Sequence, residues 1–135
     1  MYLVDTNIWL ERLLDQEQSD SVGHMLDILP PDQLLISDFS LHSIGVILGR
    51  LRCVDVLPEF VQDIFVNSAI AMVSVTPGDL SKVVATMSEF GIDFDDAYQY
   101  EAAKQLGAYI ISFDKDFDKT NIKRKTPADI AREYA

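Results

Sequence analysis

The stretch from Asp93 to Asp118 narrows the choice of fold more than any other part of this 135-residue chain. It opens on Asp93, Asp95 and Asp96, carries Ala97, Tyr100, Ala103 and Leu106 at helical spacing, and stops at Gly107. Tyr109-Ile110-Ile111 is an apolar run suited to a parallel strand covered on both faces, and a second burst of carboxylates (Asp114, Asp116, Asp118) follows it. If this helix and strand pack back to back, Asp114 leaves the carboxyl end of the strand. Asp96, in the first helical turn, can reach the same end, which is where open α/β sheets bind ligands.

The same alternation runs along the rest of the chain. Tyr2 to Val4, Leu34 to Ile36 and Ala71 to Val75 are expected as strands. Asp5 or Thr6 caps a first helix carrying Ile8, Trp9, Leu13 and Leu14, and Pro30-Pro31 ends a second one built on Val22, Met25 and Leu26. A third helix, from Phe39 or Ser40 to Leu51, is apolar on most faces, so it is either buried or used in self-association. Pro58 is placed at the first position of a helix carrying Phe60 and Ile64, and Gly91 stops a helix carrying Leu80, Val83 and Met87. Ile122 is expected as a short last parallel strand before Thr126-Pro127 opens the final helix. These elements predict one α/β domain over residues 1–135, with a mostly parallel sheet of four to five strands and helices on both faces.

Twenty-two acidic residues against 11 basic ones give a formal charge of −11, which argues against a general nucleic-acid binder. Carboxylates that hold metal are neutralised in use, so that count overstates the repulsion a phosphate would meet. Lys115, Lys119, Lys123, Arg124, Lys125 and Arg132 crowd the C-terminal end, either as a solvated face or as a phosphate track. Cys53 is the single cysteine and cannot form an internal disulfide, which fits a reduced, cytoplasmic protein. No basic and apolar leader opens the chain, and no apolar run approaches the ~20 residues of a membrane span.

Three segments together resemble the PIN domain. They are Leu3-Val4-Asp5-Thr6-Asn7, Asp96-Ala97 opening a late helix, and Ile110-Ile111-Ser112-Phe113-Asp114-Lys115-Asp116-Phe117. The resemblance covers nearly the whole chain. It implies a metal-dependent ribonuclease of the VapC-like kind, the toxin half of a toxin–antitoxin pair, with RNA as substrate. By position Asp5, Asp96 and Asp114 match three acidic site residues of the family, and Asp116 matches a frequent accessory acid. Mg²⁺ or Mn²⁺ is the implied cofactor, and an antitoxin protein and a homodimer are the implied partners. On that reading Lys115, Lys119, Lys123, Arg124 and Lys125 contact the RNA backbone.

One departure matters. Ser37 and Ser40 fit the family pattern, but Ser43 stands where the third helix should carry a Glu. A neutral hydroxyl is a poor ligand for a hard dication. His42 cannot simply take over, because adjacent helix positions point in different directions. Asp38 could lean into the cleft, though capping the helix is an alternative use. The chemistry explains why the missing acid counts. Phosphodiester hydrolysis needs an activated water and stabilised phosphoryl charge, which carboxylate-held ions supply, and paired ions ~4 Å apart can clamp the displacement. Without metal, converging carboxylates repel and the pKa of at least one rises.

Two other readings compete. A phosphotransfer receiver domain wants paired acids after the first strand and a phosphorylatable Asp after the third, but here the third strand runs into Val75-Thr76-Pro77. A degenerate PIN-like domain, a protein- or RNA-binding module with weak or no cleavage, is kept open by Ser43. Asp93, Asp95 and Asp118 read as caps and solvated charges, Trp9 as core, and Tyr98 and Tyr100 as core or rim aromatics.

Overall fold

The computed structural model describes all residues from Met1 to Ala135. Five short strands form one sheet: β1 (Tyr2–Val4), β2 (Leu34–Ser37), β3 (Ala71–Val73), β4 (Tyr109–Ile111) and β5 (Arg124–Lys125). Every pairing is parallel, in the order β3-β2-β1-β4-β5. The register sets Leu3 opposite Leu35 and Ile110.

That order fixes where a ligand can sit. From β1 the chain builds outward through β2 and β3, then returns to the other side of β1 for β4 and β5. The reversal leaves a crevice between the carboxyl ends of β1 and β4, the general ligand position of open parallel sheets. Asp5 follows β1 directly, and Asp114 lies just past β4.

Alternate strand residues point to opposite faces and so divide the core into two layers. Val4, Ile36 and Ile111 pack with residues of α1 (Thr6–Leu13), α2 (Ser19–Ile28), α3 (Asp38–Arg50), α4 (Val56–Val61) and α7 (Pro127–Glu133). Leu3, Leu35 and Ile110 pack on the other face against α5 (Leu80–Phe90) and α6 (Phe94–Gln105). In α6 the side facing the sheet is made of Ala97, Ala102 and Ala103, all fully buried, so the helix backbone lies close to β1 and β4. Trp9 is buried in the first layer, its indole N–H donating to Val4 O at 3.1 Å.

Several sequence expectations need correction. The last strand is Arg124–Lys125, not Ile122. The Thr120 hydroxyl donates to Ile122 O and accepts from Ile122 N–H, which holds that residue in a loop. Strand β3 ends at Val73 because Val75 N–H leaves the ladder to donate to the Tyr98 hydroxyl. Pro58 is the third residue of α4, where its missing N–H belongs to the free first turn. Ser37 rather than Asp38 caps α3, accepting from Ser40 N–H at 3.0 Å. Asp5 and Asp93 are the caps chosen from the alternatives for α1 and α6. Gly107 follows α6 at φ +61°, the left-handed conformation glycine adopts without strain. No helix is long and apolar enough to cross a membrane.

Candidate metal centre

Strand ends and helix starts bring the acids together. The chain leaves β1 in extended backbone at Asp5, and the Asp5 carboxylate caps α1 through Thr6 N–H at 2.8 Å. Asp93 caps α6 through Asp96 N–H, which sets Asp96 in the first turn with its side chain directed into the crevice. Asp114 leads a 3-10 turn, Lys115–Lys119, and accepts from Asp116 N–H at 2.9 Å. Carboxylate oxygens of Asp96, Asp114 and Asp116 lie within 4.8 Å of one another.

Asp5 stands behind this group, fully built into hydrogen bonds. Its Oδ1 accepts from Thr6 N–H and from Gln99 Nε2 at 2.9 Å, and its Oδ2 accepts from the Ser112 hydroxyl at 2.6 Å. A carboxylate offers about four acceptor positions. Asp5 is therefore held rigidly, with about one position left for an outside partner. Ser112 is the hub of the arrangement. Besides donating to Asp5, its oxygen accepts from Asp114 N–H at 2.9 Å and from Asn7 Nδ2 at 3.2 Å, joining the ends of β1 and β4. Ser40 on α3 accepts from Gln99 Nε2 and from the Thr6 hydroxyl, tying a third element to the site.

Burial and like charge set the electrostatics. Burial pushes the Asp96 carboxyl up to about 8, helped by the charges of Asp114 and Asp93. Asp5 is also raised by burial, against the lowering effect of its Gln99 and Ser112 hydrogen bonds. Two buried polar atoms have no partner, Asp96 Oδ2 and Gln99 Oε1. Asp5, Asp96, Gln99 and Ser43 all line one pocket of about 290 Å³. Buried polar groups are nearly always paired, so two orphaned oxygens in one acidic pocket call for something that accepts lone pairs. A hard-oxygen donor set of this kind suits a hard divalent cation rather than a softer ion.

The other sequence candidates fall in different places. Asp38 does not reach the pocket; its Oδ1 accepts the Tyr98 hydroxyl at 2.8 Å. Asp38 and the exposed His42 line a separate apolar groove with Leu41 and Val46. Tyr98 and Tyr100, read as core or rim aromatics, are both buried core residues. Lys115 and Lys119 lie on the 3-10 turn beside the acids, with Lys119 Nζ 3.1 Å from Asp116. Lys123, Arg124 and Lys125 line a groove of about 770 Å³ with Gly107, Ala108 and Tyr109, at the amino ends of β4 and β5. Arg124 pairs with Asp118, and Lys125 pairs with Glu133. Arg124 Nη1 also donates to Ser112 O at 3.4 Å, so within this second group Arg124 touches the residue that joins Asp5 and Asp114.

Sequence reasoning missed Gln99, Ser40 in its bonded role, and Ser112. The signal for Ser112 was its place two residues before Asp114 at a strand end. Gln99 offered a weaker one, since three positions after Asp96 on a helix share a face.

Residues 2–123 match the family model described as PIN domain. No curated protein matches the sequence. Among solved structures, a toxin–antitoxin complex from Klebsiella pneumoniae superposes with a TM-score of 0.74 at 19% identity, over 94% of this chain and 98% of that one. FitAcB from Neisseria gonorrhoeae gives 0.74 at 23% identity, over 95% and 99%. VapC20 from Mycobacterium tuberculosis, described as a sarcin-ricin loop cleaving toxin, gives 0.73 at 19% identity, over 90% and 96%. At these identities the structural likeness establishes a common fold.

Proposed function

Because the chain belongs to the PIN-domain family, we propose that it is a divalent-metal-dependent ribonuclease whose site is the acidic pocket between β1 and β4. The observation that carries this reading is the Asp96–Asp114–Asp116 cluster within 4.8 Å, together with the buried, unpartnered Asp96 Oδ2. Asp96, Asp114 and Asp116 would hold Mg²⁺ or Mn²⁺, with Asp5 completing the acidic wall. A bound ion of this type supplies a water that is nucleophilic near neutral pH and stabilises charge on the phosphoryl oxygens.

The chain's own residues do the positioning. Ser112 fixes Asp5 and Asp114 against each other, and Gln99 holds Asp5 from the helix side. Lys115 and Lys119 sit where a phosphate backbone entering the pocket would meet positive charge. They offset part of the repulsion that the −11 chain presents to RNA. Lys123 and Lys125, on the other groove, would meet RNA only where it extends past the site, with Arg124 between them bonded to Ser112.

Partners follow from the relatives. Structural neighbours that are toxin–antitoxin complexes support an antitoxin protein as the binding partner, and a cytoplasmic site of action goes with an RNA target. Val46, Leu51, Val54 and Met72 are exposed apolar residues on the α3, α4 and β3 side, which suits a homodimer contact. A second reading, a binding module with weak or lost cleavage, is favoured by Ser43 in place of the family's helix Glu.

The test is cleavage of single-stranded RNA with Mn²⁺ or Mg²⁺. The expected result is cutting by the wild type that stops with a chelator and with Asp96→Asn. Binding of RNA without cutting at any metal concentration would establish the second reading instead.

A further inference from the structure

Resting on the reading of the pocket as a cation site, we propose that the side-chain oxygen of Gln99 stands in for the carboxylate missing at Ser43 and serves as a further protein oxygen toward the ion. Gln99 is 1% exposed, so its amide has no solvent to satisfy it. Its Nε2 donates to Asp5 Oδ1 at 2.9 Å and to Ser40 Oγ at 2.7 Å. Asp5 Oδ1 already accepts from Thr6 N–H, so it is an acceptor that takes the amide's N–H, which fixes the amide's orientation and turns Oε1 the other way. That oxygen is buried and has no partner, and the residue lines the acidic pocket.

Asp96 and Gln99 lie three residues apart on α6, one helical turn on the same face. Both residues line a single pocket and both have a buried, unpartnered oxygen, a pairing that a cation or a donor held by one would satisfy. Amide carbonyls are ordinary ligands for hard divalent ions, whereas a serine hydroxyl is a weaker one. Ser43 reaches the same pocket from α3, but only as a half-buried neutral hydroxyl. A neutral amide in place of a carboxylate also removes one negative charge from the site. The ion is then bound less tightly than four acids would bind it.

The experiment is Mn²⁺ titration of the full chain by calorimetry, with melting curves in chelator alongside. Gln99→Met keeps the bulk and removes the oxygen, and should weaken Mn²⁺ binding by at least about tenfold. Gln99→Glu restores an oxygen ligand but removes the N–H that Asp5 accepts. It should bind Mn²⁺ at least as tightly as the wild type, while a residue that only positions Asp5 would lose affinity in both variants. If Gln99→Met does not fold, Gln99→Asn draws the oxygen back by one methylene and should also weaken binding. Unchanged Mn²⁺ affinity in Gln99→Met, or a loss carried by Ser43→Ala instead, overturns the assignment. A wild type that binds no Mn²⁺ overturns the cation site itself.

Discussion

Replacing Asp96 by Asn should stabilise the metal-free protein at alkaline pH while destroying its response to metal. Asp96 is 7% exposed, and its carboxyl is raised from 3.8 to about 8, chiefly by burial and then by Asp114 and Asp93. Between those values the folded chain keeps a proton that the unfolded chain has released. The resulting stability is complete below about pH 4 and is lost as the pH rises through about 8. At ~1.4 kcal/mol per unit, the loss for an isolated group between pH 5 and pH 8 is about 3 to 4 kcal/mol. Asp96 interacts with neighbouring carboxylates rather than standing alone, so about 2 to 4 kcal/mol is expected. For a chain of this size that corresponds to roughly 6 to 15 °C in Tm. Asn is neutral at every pH, so subtracting the variant's melting curves from those of the wild type isolates this one group. In chelator, the wild-type Tm should fall toward pH 8 relative to Asp96→Asn. Added Mn²⁺ should restore the wild type and leave the variant unmoved, because only the wild type exchanges its proton for an ion. Parallel pH curves for the two proteins would refute the claim that Asp96 is held in a buried, like-charged cluster.

Three further outcomes follow from the same contacts. Ser112→Ala removes the hub between Asp5, Asn7 and Asp114. It should cost about 1 to 3 kcal/mol in urea unfolding and slow RNA cleavage at least tenfold, as buried groups are left unpaired. Ser43→Glu adds an acid to the pocket from α3, so calorimetry should record tighter Mn²⁺ binding and the cleavage assay faster turnover. Phe117→Ala empties a fully buried position beneath the 3-10 turn and should cost about 3 to 5 kcal/mol, read by the midpoint of urea unfolding.

How much of this was legible in the chain depended on the range of the interaction. Tyr2–Val4 and Tyr109–Ile111 are short apolar runs bounded by polar residues, and both strands form where that pattern put them. The caps are local hydrogen bonds, so residue type and spacing identified Thr126 outright. They narrowed the other two to Asp5 or Thr6 and Asp93 or Asp95, which the structure resolves to Asp5 and Asp93. Strand β5 is two charged residues with no apolar signal, and the nearby Ile122 drew the assignment toward itself. The reversal of strand order at β1 is a long-range choice that no local window contains, although it decides that Asp5 and Asp114 face one crevice. Asp38 looked like a spare acid because sequence cannot show that the Tyr98 hydroxyl, 60 residues away, already occupies it. Gln99 lay hidden between two tyrosines, and only burial shows that one half of its amide is satisfied and the other is not.

The most direct measurement of the central claim is an anomalous-difference map from crystals soaked in Mn²⁺. A peak bounded by the carboxylates of Asp96, Asp114 and Asp116, and absent in Asp96→Asn crystals, is the result expected. Manganese bound elsewhere on this acidic surface, with nothing between β1 and β4, would contradict it.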